Sequence, residues 1–341
     1  VTGPSGRTFN YADGGAGRGP EPVLAWFARR YGRGDWLRGE PERLRARPAA
    51  GGRFLPLTLL WLDDAMTNAP TRLPLHWFGD GPVPISIHRS SWEDPTAIFI
   101  GFKGGSPSAN HGNMDTGSFV LDALGVRWAL DLGAEDYNRI ESRGMNLWDR
   151  RQDSDRWTLY RQMNHSHNTL VIDDEIQRAA GFGRFVRFSD QSAFPHSILD
   201  LTEVYAGQAR SVRRGMALLP SGAVLIQDEL TGLRPGADVR WGMVTPATPG
   251  APGDRLLRLI QGTKSLSLEI RQPAAEVRWP LVDSASPRRE WDSPNPGTVM
   301  AAFHAVAPPD GSITLQVVAR PGAADAPGPS PVPDLPLEAW K

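Results

Sequence analysis

The chain has 341 residues, 40% of them apolar, which is enough to bury one large core beside a small helical annex. Its 37 basic and 38 acidic side chains leave a formal net charge of -1, so no global field draws in a polyanion and an acidic ligand must be held by local arginines. The absence of cysteine excludes disulfides and thiolate metal sites, no apolar run approaches the roughly 20 residues of a membrane span, and no basic face marks a nucleic-acid binder.

In chain order, Pro20-Glu21-Pro22 opens a helical pattern in which Val23, Leu24, Trp26, Phe27 and Ala28 are apolar, and Gly32 is its stop signal. A second apolar segment, 54–62, follows Gly51-Gly52 and reads as one more helix. Residues 1–70 are therefore expected to be the tail of an all-α unit. From about Leu73 the period becomes strand-like, with short apolar runs at 97–102, 118–123, 126–132, 169–172, 198–204, 223–226, 239–244, 265–270, 299–305 and 313–319, each bounded by turn residues. Pro220-Ser221-Gly222 and Pro309-Asp310-Gly311 supply turn chemistry between such runs. Many short strands without helical spacers predict a mainly β chain, with a large antiparallel β-sandwich over 71–322 preceded by the short helical segment. The Pro-rich tail, 323–341, is expected to be disordered or draped over the surface.

Chemistry concentrates in two short segments, 110–119 and 164–173, which hold three of the chain's seven histidines. Were 164–168 extended, alternation would point His165 and His167 the same way, and with Asp131 they could grip a divalent cation. The alternative is that His111 and His167 simply hydrogen-bond turn carbonyls. Between Asp131 and His165 lie Arg139, Arg143, Arg150, Arg151, Arg156 and Arg161, with Trp148 and Trp157 interleaved. Guanidinium forks match carboxylates and sulfates, and indole faces stack on sugar rings. The opposing reading is a solvated loop neutralised by Glu141, Asp149, Asp153 and Asp155. Tyr137 and Tyr160 flank the same stretch, and Tyr11 sits in the Asn10-Tyr11-Ala12-Asp13 loop; each is either an acid/base or substrate-contacting group or an ordinary packing aromatic.

Taken together, Phe102-Lys103-Gly104-Gly105, the Asn-His-Gly-x-x-Asp-x-Gly-Ser-Phe run from Asn110, Val126-Arg127-Trp128-Ala129-Leu130-Asp131-Leu132-Gly133 and Ser166-His167-Asn168-Thr169-Leu170 resemble the C-terminal β-domain of heparinase II/III-like proteins. The resemblance implies a polysaccharide lyase acting on an acidic polysaccharide or oligosaccharide that contains uronate, a glycosaminoglycan or alginate-like glycan. It also implies that residues 1–70 are the C-terminal helices of an incomplete α/α toroid, and that the principal acid and base lie upstream of Val1. A signal sequence would be upstream too, with a periplasmic or secreted location. The site residues it implies are His111 and Asn110 at the cleft with Tyr137, and Arg161 or Arg143 on the substrate charge, beside Trp148, Arg151, Trp157 and Tyr11. Asp131, His167, the Asn113 position and His165 form the metal-ligand set. Family members often carry His-x-His in the first motif, whereas this chain has His111-Gly112-Asn113. An amide oxygen is a poor zinc ligand, so the cation expected is zinc or calcium, or none. The competing function is a non-catalytic glycan-binding or structural β-sandwich; the oligomeric state is not set by these residues.

Overall fold

A computed structural model describes residues 1–46, 48–62, 73–251, 253–274, 277–322 and 334–341. The chain divides into two compact units, Ala16–Leu75 and a β unit made of Val1–Gly15 with His76–Lys341.

The smaller unit contains α1 (Pro22–Tyr31), which starts at a proline and ends where Gly32 adopts φ 62°, its turn closed by backbone N–H groups bonding Ala28 and Arg29 carbonyls. The helix buries Ala25 and Ala28 in a small cluster with Leu37. Two further helices are α2 (Glu40–Ala46) and α3 (Thr58–Trp61). The helix expected over 54–62 is a single α-turn preceded by a 3-10 stretch, Pro48–Leu57, which Gly52 interrupts with non-helical φ 59° and in which Pro56 removes a backbone donor.

The β unit holds three sheets, and every strand pairing among the described residues is antiparallel. A five-stranded meander runs β1 (His76–Gly79), β2 (Ile85–Arg89), β3 (Phe99–Lys103), β4 (Phe119–Ala123), β5 (Val126–Ala129). A four-stranded sheet is ordered β15 (Leu281–Asp283), β16 (Val299–Val306), β11 (Asp238–Thr245), β6 (Leu170–Ile172). The eight-stranded sheet is ordered β12 (Thr248–Pro249), β13 (Leu256–Gln261), β14 (Lys264–Gln272), β17 (Ile313–Pro321), β10 (Val224–Thr231), β9 (Ser211–Leu218), β8 (His196–Asp200), β7 (Arg184–Ser189). Ile100 and Phe119 of the first sheet, Trp241 and Phe303 of the second, and Met216, Ile226 and Val317 of the third share one core. The expected sandwich is thus present, built because alternate positions of each strand are apolar.

One charged pair interrupts that alternation. Arg214 of β9 and Asp228 of β10 stand opposite each other on the inner face, fully buried, with Arg214 Nε 2.6 Å from Asp228 Oδ1. The same guanidinium donates to the carbonyls of Gly117 and Asn168, each at 2.8 Å. The pair therefore pins both chemistry-bearing segments to the large sheet.

Two chain ends depart from the expected boundaries. Residues 1–15 are not helical: Phe9 packs with Ile87, Phe99 and Val120, and Arg127 donates to the carbonyls of Arg7 and Thr8. In the expected tail, 323–333 lies outside the described residues, while Leu337 and Trp340 are buried on the outer face of the large sheet with Ala217, Leu225 and Val318.

Candidate functional site

The loop that follows β3 carries the first motif, and the packing around it is tight. A Cβ on Gly112 would stand 2.4 Å from the Pro107 carbonyl. His111 is held at φ 55°, a left-handed conformation that costs a residue with a Cβ about 1–2 kcal/mol. Its half-exposed imidazole places Nδ1 3.2 Å from Asp13 Oδ2 and 3.4 Å from the Tyr137 hydroxyl. The Tyr137 hydroxyl in turn donates to Asp13 Oδ2. Trp148 stands edge-on to both rings, 5.5 Å from each centroid, with its indole N–H on Glu141 at 2.7 Å. Burial raises the Tyr137 pKa above its usual value and hydrogen bonding to Asp13 adds to that, while the Arg156 guanidinium opposes both. Tyr137 is therefore a protonated phenol near neutral pH, able to donate a proton.

Arg156 organises this cluster from beneath. Buried to 3% exposure, it donates to the Gly112 carbonyl at 2.7 Å, to Leu147 at 3.1 Å and to Asn113 Oδ1 at 3.2 Å, and lies 3.5 Å from Asp13. Neither Asp13 nor Arg156 is marked as a site residue by any sequence motif. The only available signal for Asp13 was its loop; its partner is 98 residues away. For Arg156 it was membership of the basic run.

The second segment adopts a shape other than the expected one. Asn164–Ser166 is a 3-10 turn, so His165 and His167 do not project side by side from a strand. Asn164 fixes this turn by donating to the carbonyls of Leu170 at 3.2 Å and Glu175 at 3.1 Å. His167, fully buried, places Nδ1 3.0 Å from Asp131 Oδ2. His165 places Nε2 2.8 Å from Asp174 Oδ1 instead. Burial works to lower the His167 pKa, but the Asp131 and Asp115 carboxylates outweigh it and the net direction is upward. Asp115 is itself buried against Lys103 and accepts from the Ala12 N–H at 2.8 Å.

The donors of this set are engaged with other protein groups rather than gathered around one point. Asp131 spends one oxygen on His167 and the other on the Gly133 N–H at 2.8 Å, while Asn113 Oδ1 is taken by Arg156. His167 Nε2 is buried without a partner, but among the described residues no three His, Asp or Glu side chains are arranged to hold a metal ion.

The remaining expected residues scatter. Asn110 is exposed beside His111. Arg161 is committed internally, donating to Asn295 Oδ1 at 2.7 Å, the Ala134 carbonyl at 2.6 Å and the Pro294 carbonyl at 3.1 Å. Arg143 is exposed and bonds the Arg139 carbonyl at 3.0 Å, and exposed Arg151 forks onto Asp149. Trp157 is a core residue packed with Met114 and Ala179. Tyr11 packs edge-on against Phe9 at 5.2 Å, its pKa raised by burial and then by Asp115. The structure thus brings together His111, Tyr137 and Trp148, and separately His167 and Asp131.

Comparison with known proteins follows the same lines. The fold matches a heparan sulfate lyase HepC mutant from Pedobacter heparinus with TM-score 0.63 at 13% identity, over 94% of this chain and 45% of that one. It matches a heparinase III with TM-score 0.63 at 13% identity, covering 95% and 48%, and a lysine-methylated heparinase III with TM-score 0.64 at 14%, covering 96% and 45%. The chain therefore spans less than half the length of these structures, and at such identities the likeness is one of fold. No curated protein matches the sequence. Residues 89–323 match the family described as Heparinase II/III-like, C-terminal, and the chain belongs to that family.

Proposed function

We propose that this chain is part of a polysaccharide lyase that cleaves uronate-containing acidic glycans by β-elimination, with the His111, Tyr137 and Asp13 cluster at the reacting end. The observation that carries the reading is the convergence of a strained, half-exposed imidazole, a protonated phenol and a shared carboxylate, walled by Trp148. Elimination removes the proton at C5, α to the carboxylate, and expels the oxygen at C4. A base with a tuned pKa takes the first and an acid protonates the second. The resemblance puts the principal base and acid upstream; beside them, in this reading, the imidazole relays the C5 proton and Tyr137 supports the departing oxygen. Arg156 beside Asp13 stabilises the charge that builds on the phenol, and the indole face of Trp148 supports a sugar ring. A periplasmic or secreted location is proposed with the activity, because that is where such glycans are met.

The test is formation of the C4–C5 double bond from acidic glycans, followed by ultraviolet absorbance with the full-length protein. His111→Ala is expected to lower turnover by about 10²–10⁴-fold, the range for removing a positioned acid/base group. Tyr137→Phe should act in the same direction with little change in folding, since it deletes one hydroxyl. Unchanged turnover in both variants removes the reading. One observation favours a second reading, a glycan-binding or structural sandwich: Arg156 and Arg161 spend their donors inside the protein. Glycan binding that persists in His111→Ala with no turnover in either protein would establish it.

A further inference from the structure

The β unit has an open cavity of about 360 Å³, none of whose walls belongs to the His111 cluster. This volume lies in the range of small-ligand sites. Its walls include Tyr160, His165 and Asp174, with Arg288, Arg289 and Asp292 contributed by the loop between β15 and β16.

Of the two acids in this cavity, Asp292 is fully engaged by backbone donors and Asp174 gives one oxygen to His165. Asp292 accepts the backbone N–H groups of Tyr160 at 2.9 Å, Arg288 at 3.1 Å and Arg289 at 2.8 Å, and Asp174 takes His165 Nε2 at 2.8 Å. The two arginines are exposed; Arg288 donates to the Asp283 carbonyl and reaches toward the Tyr160 hydroxyl, and Arg289 donates to the Thr158 carbonyl. Neither forms an ion pair with a carboxylate among the described residues, so most of their guanidinium donors are available to a ligand. The arginines therefore make the cavity a place for an anion.

Two further groups ask for hydroxyls. Tyr160 is 3% exposed and lines the cavity, and its buried hydroxyl, within reach of the Arg288 guanidinium, finds no acceptor for its own proton. The Arg288 guanidinium lies over its ring, 5.1 Å from the centroid. His165 Nδ1 is likewise buried without a partner. Burial, and after it the Arg240 guanidinium, lower the His165 pKa against the pull of Asp174, so the ring is neutral at pH 7. With Nε2–H donated to Asp174, Nδ1 is a bare acceptor. Asp174 reaches it from φ 60°, following Asp173 at φ 48°, two successive left-handed residues that close a tight turn after β6. Unsatisfied buried polar atoms are costly, and a hydroxyl-bearing ligand relieves both.

We propose that this cavity is an acidic-saccharide subsite, in which Arg288 and Arg289 engage a carboxylate or sulfate while Tyr160 and His165 take ring hydroxyls. The sugar half of the proposal rests on the glycan reading above; the anion half rests on the cavity alone. Isothermal titration of the full chain with glucuronate, glucose 6-sulfate, glucose and inorganic sulfate tests it, and the tighter of the two acidic sugars identifies the charged group. An acidic sugar should bind more tightly than glucose and than inorganic sulfate. The double variant Arg288→Ala/Arg289→Ala, both at exposed positions, should weaken that binding by about tenfold or more, the effect of losing a charge-assisted hydrogen bond. Tyr160→Phe should weaken it several-fold, and Arg258→Ala, at an exposed position of β13 that lines neither this cavity nor the His111 cluster, should leave it unchanged. Glucose or inorganic sulfate binding as tightly as the acidic sugars overturns the proposal, as does an unaltered affinity in the arginine double variant. Because His111→Ala is read by turnover and this cavity by binding, the lyase reading and the subsite can fail independently.

Discussion

Buried histidines divide the pH response of this protein into limbs of opposite sign. His88 of β2 is fully buried, with Nδ1 3.2 Å from His76 Nδ1 and Nε2 2.7 Å from Ser197 Oγ. Burial first, then His76 and His196, lower its pKa to about 3. His76 and His196 are lowered too, mainly by burial. Between the ordinary histidine value and about 3 the unfolded chain binds a proton that the folded chain refuses, so stability is full above pH 6.5 and falls as the solution is acidified. For His88 alone the loss is on the order of 4 kcal/mol, and His88→Phe should flatten the acid limb of unfolding free energy measured from pH 7 to 4. His167 runs the other way. Its raised pKa gives stability that is complete below the ordinary histidine value and is lost as pH rises through the folded one. Asp131→Asn should remove that neutral-side limb and leave the acid limb standing. An acid limb unchanged in His88→Phe would contradict the burial argument.

At the scale of elements, the strands and the Pro/Gly turns at 220–222 and 309–311 were legible, and the turn that carries the second motif was not. Runs such as 239–244 and 313–319 read as strands because alternate residues enter one core, and β11 and β17 cover them. The 164–168 segment read as extended because His-x-His looks like alternation. Its 3-10 form is set by Asn164 reaching Leu170 and Glu175, a local hydrogen-bond competition that a hydrophobicity pattern does not register. His111 and Tyr137 were recognisable as chemistry-bearing, yet their union depends on Asp13 from the first residues of the chain, for which no periodic signal exists. The Arg214–Asp228 pair was equally hidden, since polar residues inside β9 and β10 look like outward positions. It is predicted to be the element on which both motif segments depend. Asp228→Ala leaves a buried guanidinium unpaired and should cost about 3–5 kcal/mol in chemical denaturation, whereas replacing both partners with apolar residues of similar size should cost much less. A small effect of the single substitution would show that Arg214 is satisfied by the Gly117 and Asn168 carbonyls alone.

Over the whole molecule, both ends of the chain close the β unit in ways that composition concealed. The N-terminal stretch lies under β2 and β3 because Gly101 has no side chain: a Cβ there would stand 2.7 Å from the Phe9 ring. At the other end, Pro-rich composition pointed to a loose tail, yet Leu337 and Trp340 occupy the outer face of the large sheet over Gly215, where a Cβ would come within 2.3 Å of Leu337. Polar bonds hold the same segment: Leu337 N–H to Glu229 at 2.6 Å, Gln227 to the Leu335 carbonyl at 2.9 Å, and Arg187 to the Trp340 carbonyl. Trp340 is 1% exposed, so Trp340→Ala should cost about 3–5 kcal/mol, the range for emptying a buried indole site. Gly215→Ala should destabilise by the same route, pushing Leu337 off its seat while leaving β9 paired. Thermal unfolding of both variants, beside a chain ending at residue 333, distinguishes a docked strap from a passive tail. Equal melting temperatures for all three and the parent would mean that the outer face of the large sheet tolerates water, and that the strap contributes nothing to the sheet holding Arg214 in place.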